Sequence, residues 1–217
     1  MTAHLKIDFV SDVACPWCAV GLSALQRALD RLQGEVQADL HFQPFELNPG
    51  MGPEGEDSAE HLSRKYGLTP AQLQANQDVL TQRGAEEGFS FNLEQRRRVV
   101  NTFDAHRLLH WAELEGRQAA LKMGLLRAYF SEGRDPSDHA VLADVAAAAG
   151  LDPARAREIL DSQEYAETVR RQEQHYLDLG IHSVPAVIIN DRHLIRGGQP
   201  AAVFEEALKK IAAGQAG

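Results

Sequence analysis

Cysteine is scarce in this chain, whose 217 residues hold only Cys15 and Cys18. That scarcity excludes the disulfide framework of a small secreted domain and a four-cysteine zinc site. The pair is also a poor structural staple, because so short a loop restrains little unfolded-chain entropy. Positive charge is short as well: 22 Lys and Arg stand against 31 Asp and Glu, a formal charge of −9. Phosphate backbones are therefore poor partners, and no nucleic-acid binding is expected. The basic run Arg96-Arg97-Arg98 is too brief to reverse this and reads as a solvated helix face. Long apolar runs are missing, so no membrane partner is expected. The opening Met-Thr-Ala-His-Leu-Lys does not read as a signal peptide, and the expected location is cytoplasmic. No G-x-S-x-G elbow and no Ser-His-Asp order is found. A formal G-x-G-x-x-G at Gly50, Gly52 and Gly55 is no dinucleotide site. Pro53 interrupts it, and Glu54, Glu56 and Asp57 would repel a pyrophosphate.

What is present centres on Cys15-Pro16-Trp17-Cys18. This stretch follows a strand-like run, Leu5 to Val10, and precedes a helix-like run from Val20 to Leu32. Pro16 suits the first turn of a helix, where its missing N–H has no intrahelical partner. Cys15 then lies at the helix start, where orphan N–H groups and the dipole favour a thiolate. A Cys-X-X-Cys so placed is a redox motif, with Cys15 as attacking sulfur and Cys18 as resolving sulfur. Cys15 is expected to be exposed and Cys18 covered. Half a zinc site is the competing reading, but no second pair exists and His41 has no ligand spacing to the cysteines. No metal and no cofactor are expected.

The hydrophobic share of 44% supports a substantial core, in one large domain or one domain with an insert. After the dithiol, Leu22, Leu25, Leu29 and Leu32 share one helix face. A second strand, about Gln37 to Phe45, alternates Ala38, Leu40, Phe42 and Pro44 with wetter residues. Strand, helix and strand make a βαβ unit with parallel strands. Asn48 to Asp57 reads as a loop, and Ser58 to about Gln163 as helical throughout. Within it, Thr69 with Pro70 starts a helix ending near Gly88. Others run at Asn101–Leu114, Arg117–Phe130 and, capped by Ser137, Asp138–Ala149; Asp152-Pro153 starts a short one. Ser162 is expected to cap a long helix, Gln163–Leu179, stopped by Gly180. Ala186–Ile189 is a short buried strand, His193–Arg196 its return, and Pro200 opens the last helix. The class is α/β: a thioredoxin fold with an inserted all-helical domain. Residues 1–57 and 164–217 form the thioredoxin-like part, and 58–163 the insert.

Several independent motifs then resemble the DsbA-type thiol:disulfide oxidoreductases, and within them the cytoplasmic FrnE-like branch. They are Asp12 with Cys15-Pro16-Trp17-Cys18, and Pro44-Phe45-Glu46-Leu47-Asn48-Pro49. In the insert they are Asn101-Thr102-Phe103-Asp104-Ala105-His106-Arg107-Leu108. Late in the chain they are Gly180 through Val184-Pro185, and Gly198-Gln199-Pro200. The resemblance implies disulfide exchange, with thiol or disulfide substrates and a cellular reductant or oxidant as partners. It implies a cis Pro185 facing the dithiol, with Val184 offering backbone groups to an extended substrate. Some FrnE-like members carry a second cysteine pair, which this chain lacks. The wider superfamily includes glutathione-dependent isomerases and kappa-class transferases, which typically have Ser in place of Cys15. A glutathione-linked activity of that kind is one alternative. A non-redox interaction module on the same scaffold is the other.

Other residues read more plainly. Pro16 and Trp17 tune the dithiol, and Trp17 is expected on the surface beside the sulfurs. His106 and His110 share a helix face but lack a third ligand, so packing is the favoured role. Asp12 is a turn former or a neighbour of Cys15, and Asp8 is a candidate proton acceptor for Cys18.

Overall fold

The computed structural model describes residues 2–214. β1 (Ala3–Ser11), α1 (Pro16–Arg31) and β2 (Val36–Pro44) form the βαβ unit, with β1 and β2 parallel and Ile7 opposite Leu40. β3 (Glu56–Asp57) leads into α2 (Ser58–Tyr66) and α3 (Pro70–Glu87). β4 (Arg98–Val99) precedes α4 (Phe103–Leu114), α5 (Gln118–Phe130), α6 (His139–Ala148) and α7 (Pro153–Leu160). α8 (Ala166–Asp178), β5 (Ala186–Ile189), β6 (His193–Arg196) and α9 (Ala201–Ala212) complete the order. The main sheet runs β2-β1-β5-β6, with β5 antiparallel to both neighbours. This is a thioredoxin fold carrying helices between its two sheet units.

Alternation along β1 sets the two faces of this sheet. Ile7 and Phe9 are fully buried in the core shared with α1 and α9, among Leu22, Leu25, Val187 and Phe204. Each such side chain stabilises the fold by about 1.5–3 kcal/mol. Val10 points the other way and packs with Tyr176, Ile181 and Ala186 beneath α8.

The helical region is less separate than the sequence reading drew it. Leu126, Tyr129 and Phe130 of α5, with Phe89, belong to the same apolar cluster as Cys15, Cys18 and Phe9. A second cluster, under α4 to α7, takes in Val13 from the loop after β1. β2 is an edge strand, and Gln118 completes it: the Phe42 N–H donates to Gln118 Oε1 (2.9 Å) and Gln118 Nε2 to the Phe42 carbonyl (3.0 Å). That pairing covers an exposed edge and pins the start of α5 to the sheet.

Local chemistry explains most element ends. Thr69 and Gln72 make a reciprocal capping box on α3, Pro70 sits in its first turn, and Gly88 closes it with φ +82°. Three expectations fail. Asp138, not Ser137, caps α6 through the Ala140 N–H; Ser137 donates instead to Asp135. α8 starts at Ala166 rather than Gln163, because Arg107 claims the Ser162 and Glu164 carbonyls at the end of α7. The stretch from Gly88 to Thr102 is not helical. There Arg98 pairs in β4 with β3, and Arg96 lies over the Tyr129 and Phe130 rings, 5.7 Å from each centroid. Arg96-Arg97-Arg98 is therefore not a solvated helix face. Cation–ring contact and strand pairing outweigh the polar composition.

Candidate active site at the dithiol helix

Pro16 and the end of β1 decide where the sulfurs sit. Cys15 is the N-cap residue of α1, with Pro16 in the first turn. Its own N–H closes a turn onto the Asp12 carbonyl at 3.3 Å, and both cysteines are free thiols. Cys18 is fully buried, as expected. Cys15 is only 4% exposed, against the expectation of an open sulfur, while Trp17 is 37% exposed. The reason is tertiary: Val184 and the core lie over the first turn.

Val184 and Pro185 come from 169 residues further on to meet that turn. The Cys15 thiol donates to the Val184 carbonyl at 3.7 Å, and the Val184–Pro185 peptide is cis. The close approach needs glycine on the helix. A Cβ on Gly21 would stand 3.1 Å from Pro185 Cγ and 3.3 Å from the Gly198 Cα. Gly198 is equally constrained: a Cβ there would meet the Trp17 carbonyl at 2.9 Å. Gly21 was missed in the sequence, where it reads as an ordinary interruption of a helix.

Asp12 does more than form a turn. Its Oδ1 accepts from the Ala14 N–H (3.0 Å) and its Oδ2 from the Leu47 N–H (2.7 Å), tying the dithiol loop to the stretch after β2. His106 Nε2 of α4 stands 3.6 Å from Oδ1, both side chains fully enclosed. That is a charge contact, longer than a hydrogen bond. Burial opposes the charge on Asp12, but His106 and the two N–H groups outweigh it and hold the carboxyl below its ordinary range. His110 packs edge-on against the Tyr165 ring at 5.0 Å, and among the described residues the two histidines belong to no group of three possible metal ligands.

Asp8 is not the acceptor for Cys18. It lies on the opposite face of β1, where Gln43 Nε2 donates to it at 2.7 Å and Lys6 pairs with it at 3.0 Å. The group that does approach Cys18 is Lys122 of α5. Its side chain is 0% exposed, and among the described residues Nζ has no hydrogen-bond partner. Burial pulls its pKa down to about 8, against the raising pull of Cys18, Asp12 and Cys15. Burial and the Cys15 sulfur push the Cys18 thiol well above its ordinary value, and Lys122 pulls it back. A signal for Lys122 was present: it lies on the apolar stripe of Leu125, Leu126 and Tyr129, where a lysine is out of place.

Beside Trp17 opens a mostly apolar groove of about 470 Å³. Pro16 and Trp17 form one wall, and Leu62, Tyr66 and Leu80 of α2 and α3 the other, with Arg96 at its edge. The sequence marked α3 by its caps alone; only packing shows that α2 and α3 face the dithiol.

The profile of the DSBA-like thioredoxin domain family matches residues 6–209. The chain belongs to that family. Membership supports a place among the thiol–disulfide oxidoreductases. A probable DsbA oxidoreductase from Streptomyces coelicolor is 34% identical, covers 99% of this chain and 92% of its own, and superposes with a TM-score of 0.89. An uncharacterized protein of Bacillus subtilis, YwbO, is 29% identical over 96% of each chain. The cytosolic disulfide reductase DsbM from Pseudomonas aeruginosa, solved with GSH, covers 96% of this chain and 99% of its own at a TM-score of 0.65. At 20% identity that likeness shows the fold alone.

Proposed function

We propose that the protein exchanges disulfides at Cys15 and Cys18 through a mixed disulfide, with Cys15 attacking and Cys18 resolving. The observation that carries this is the free Cys15 sulfur at the N-terminus of α1, 3.7 Å from the Val184 carbonyl. Cys15 attacks one sulfur of a substrate disulfide, and the other leaves as a thiol. Cys18 then attacks Cys15 and expels the bound half as a second thiol. Two electrons pass from the dithiol to the substrate, and a thiol reductant restores Cys15 and Cys18; the oxidising direction is the same path reversed. Val184 and Pro185 border the sulfur where an extended substrate would lie, and Pro16 and Trp17 flank the groove. In this reading a cell's reducing compartment is the working location; among the described residues no helix is long and apolar enough to cross a membrane. We place the boundaries of the helical insert at residues 58 and 163.

Non-reducing electrophoresis of two variants tests the roles. Cys18→Ser should keep the attack and lose the release, leaving substrate linked to Cys15. Cys15→Ser should trap almost none, because Cys18 is fully buried. Equal trapping by both would reverse or remove the assignment.

A glutathione-linked activity is the second reading, favoured by one observation: Arg96, a cation, edges an apolar groove beside Cys15. Glutathione-dependent conversion of an electrophile such as 1-chloro-2,4-dinitrobenzene, with no disulfide present, would favour it. A requirement for both cysteines would favour exchange.

A further inference from the structure

Lys122 is sealed between two of the apolar clusters of the molecule, one turn beyond the Gln118 bridge to β2. A buried ammonium without a partner is costly, and a well-packed apolar side chain would serve the core better. The charge-bearing groups that act on it, Cys18, Asp12 and Cys15, belong to the dithiol site. Asp12 comes from the loop after β1, Cys15 and Cys18 from α1, and His106 from α4 beside Asp12. Tyr129 lies two turns on along α5, its phenol donating to the Arg98 carbonyl at 2.7 Å, with Arg96 over its ring. Asp12 is already engaged by two N–H groups, so its charge is held in place. Besides Lys122, the Cys18 thiol has only the Asp12 backbone to favour its charge, and burial and the Cys15 sulfur outweigh that.

We propose that Lys122 takes the Cys18 proton, across a bridging water or by a swing of its flexible side chain, when Cys18 attacks the mixed disulfide at Cys15. The inference rests on the exchange reading above. In the step, the Lys122 amine gains the proton and becomes an ammonium. The Cys18 sulfur pair forms the bond to Cys15 Sγ while the bond from Cys15 to the substrate sulfur breaks. That sulfur leaves as a thiolate and collects a proton from Lys122 or from water. The substrate disulfide is thereby reduced to two thiols and the dithiol oxidised to a disulfide; a thiol reductant resets it. The helical region thus acts in the chemistry, supplying the base that the βαβ unit lacks. With an amine that sheds its own proton at about 8, the base form is available near neutrality.

The test is a single-turnover experiment with bis(2-hydroxyethyl) disulfide, acid-quenched, with the Cys15 mixed disulfide counted by mass spectrometry over a range of pH. In the native chain the mixed disulfide should be short-lived, and its decay should quicken as pH rises through about 8. In Lys122→Met it should persist at least about tenfold longer at neutral pH, and the difference should shrink in alkali as Cys18 ionises unaided. In Lys122→Ala, added ethylamine should speed the decay in proportion to its free-base concentration, a rescue that a packing role would not show. Native lifetimes and a native pH profile in Lys122→Met overturn the proposal. So does Lys122→Ala, folded by circular dichroism, if ethylamine leaves its decay unchanged. A native chain that forms neither mixed disulfide nor Cys15–Cys18 disulfide overturns the exchange reading itself, a different outcome.

Discussion

Two cations are sealed inside the helical part of the molecule, Arg107 on α4 and Lys122 on α5, and they are treated in opposite ways. Arg107 is saturated. Its Nη1 donates to Asp104 at 2.7 Å, its Nε to the Glu164 carbonyl at 2.9 Å, and its Nη2 to the Ser162 carbonyl at 2.7 Å and to the Ile159 carbonyl. Its planar fork ties the end of α7 to the start of α8, and its carboxylate partner Asp104 also meets His139 at 3.0 Å. Lys122 has no partner of this kind and faces two sulfurs. A buried charge bound at all three of its nitrogens holds a fold together. A buried charge left unpaired destabilises the fold, and chemistry at the site it faces explains its presence.

The strongest way to break this comparison is at Arg107. Arg107→Met should lower unfolding stability by about 3–5 kcal/mol, because three carbonyls and Asp104 lose their donor in the interior. Chemical denaturation measures it, and a change below about 1 kcal/mol would show that the guanidinium is not the clasp.

Lys122→Met should move stability the other way. Lysine's ordinary pKa is 10.5 and the folded value is about 8, so the unfolded chain binds more protons between those values. Stability therefore rises with pH across that window, and the penalty of the buried ammonium is full below it. Removing the amine should stabilise the fold near neutrality by up to about 3 kcal/mol and flatten the slope. Cys18, whose pKa is raised, pulls the opposite way in alkali, and more so once Lys122 no longer lowers it, so the two proteins are compared below the thiol range. Destabilisation by this variant would make Lys122 a structural residue like Arg107.

A partly buried cluster on α8 sharpens the comparison at its small end. Arg170 lies 3.7 Å from the Phe103 ring centroid and pairs with Glu46 and, at 2.8 Å, with Glu173. Burial and the Glu46 charge push Glu173 up to about 7, the Arg170 pairing notwithstanding. The folded chain then binds more protons between 4.5 and about 7, so stability falls as pH rises through that window. Glu173→Gln should flatten that fall by no more than about 1 kcal/mol, since Arg170 is half-exposed. Thermal melts of the native chain and the variant at acid and neutral pH check it. An unchanged slope would mean that Glu173 does not take up the proton.

The sequence by itself was enough for the fold and for the two sulfurs, because their signals are local. Pro16 after Cys15 marks a helix start, alternation along β1 and β2 marks a sheet, and Thr69 with Gln72 and Gly88 marks the limits of α3. Each depends on neighbours within a turn or a strand. Tertiary structure alone decided what surrounds the sulfurs. It turned Asp8 to the wrong face of β1, brought Asp12 to His106, and laid Val184 and Pro185 against Gly21. It also covered Cys15, which the helix start alone had left open. The same holds for Lys122, whose place on an apolar stripe hints at burial but not at what it lies among. Its isolation arises because Gln118 fixes α5 to the edge of β2 and the following turn is sealed between two cores. Burial and the field of distant charges are sums over the folded chain, and no local spacing encodes them.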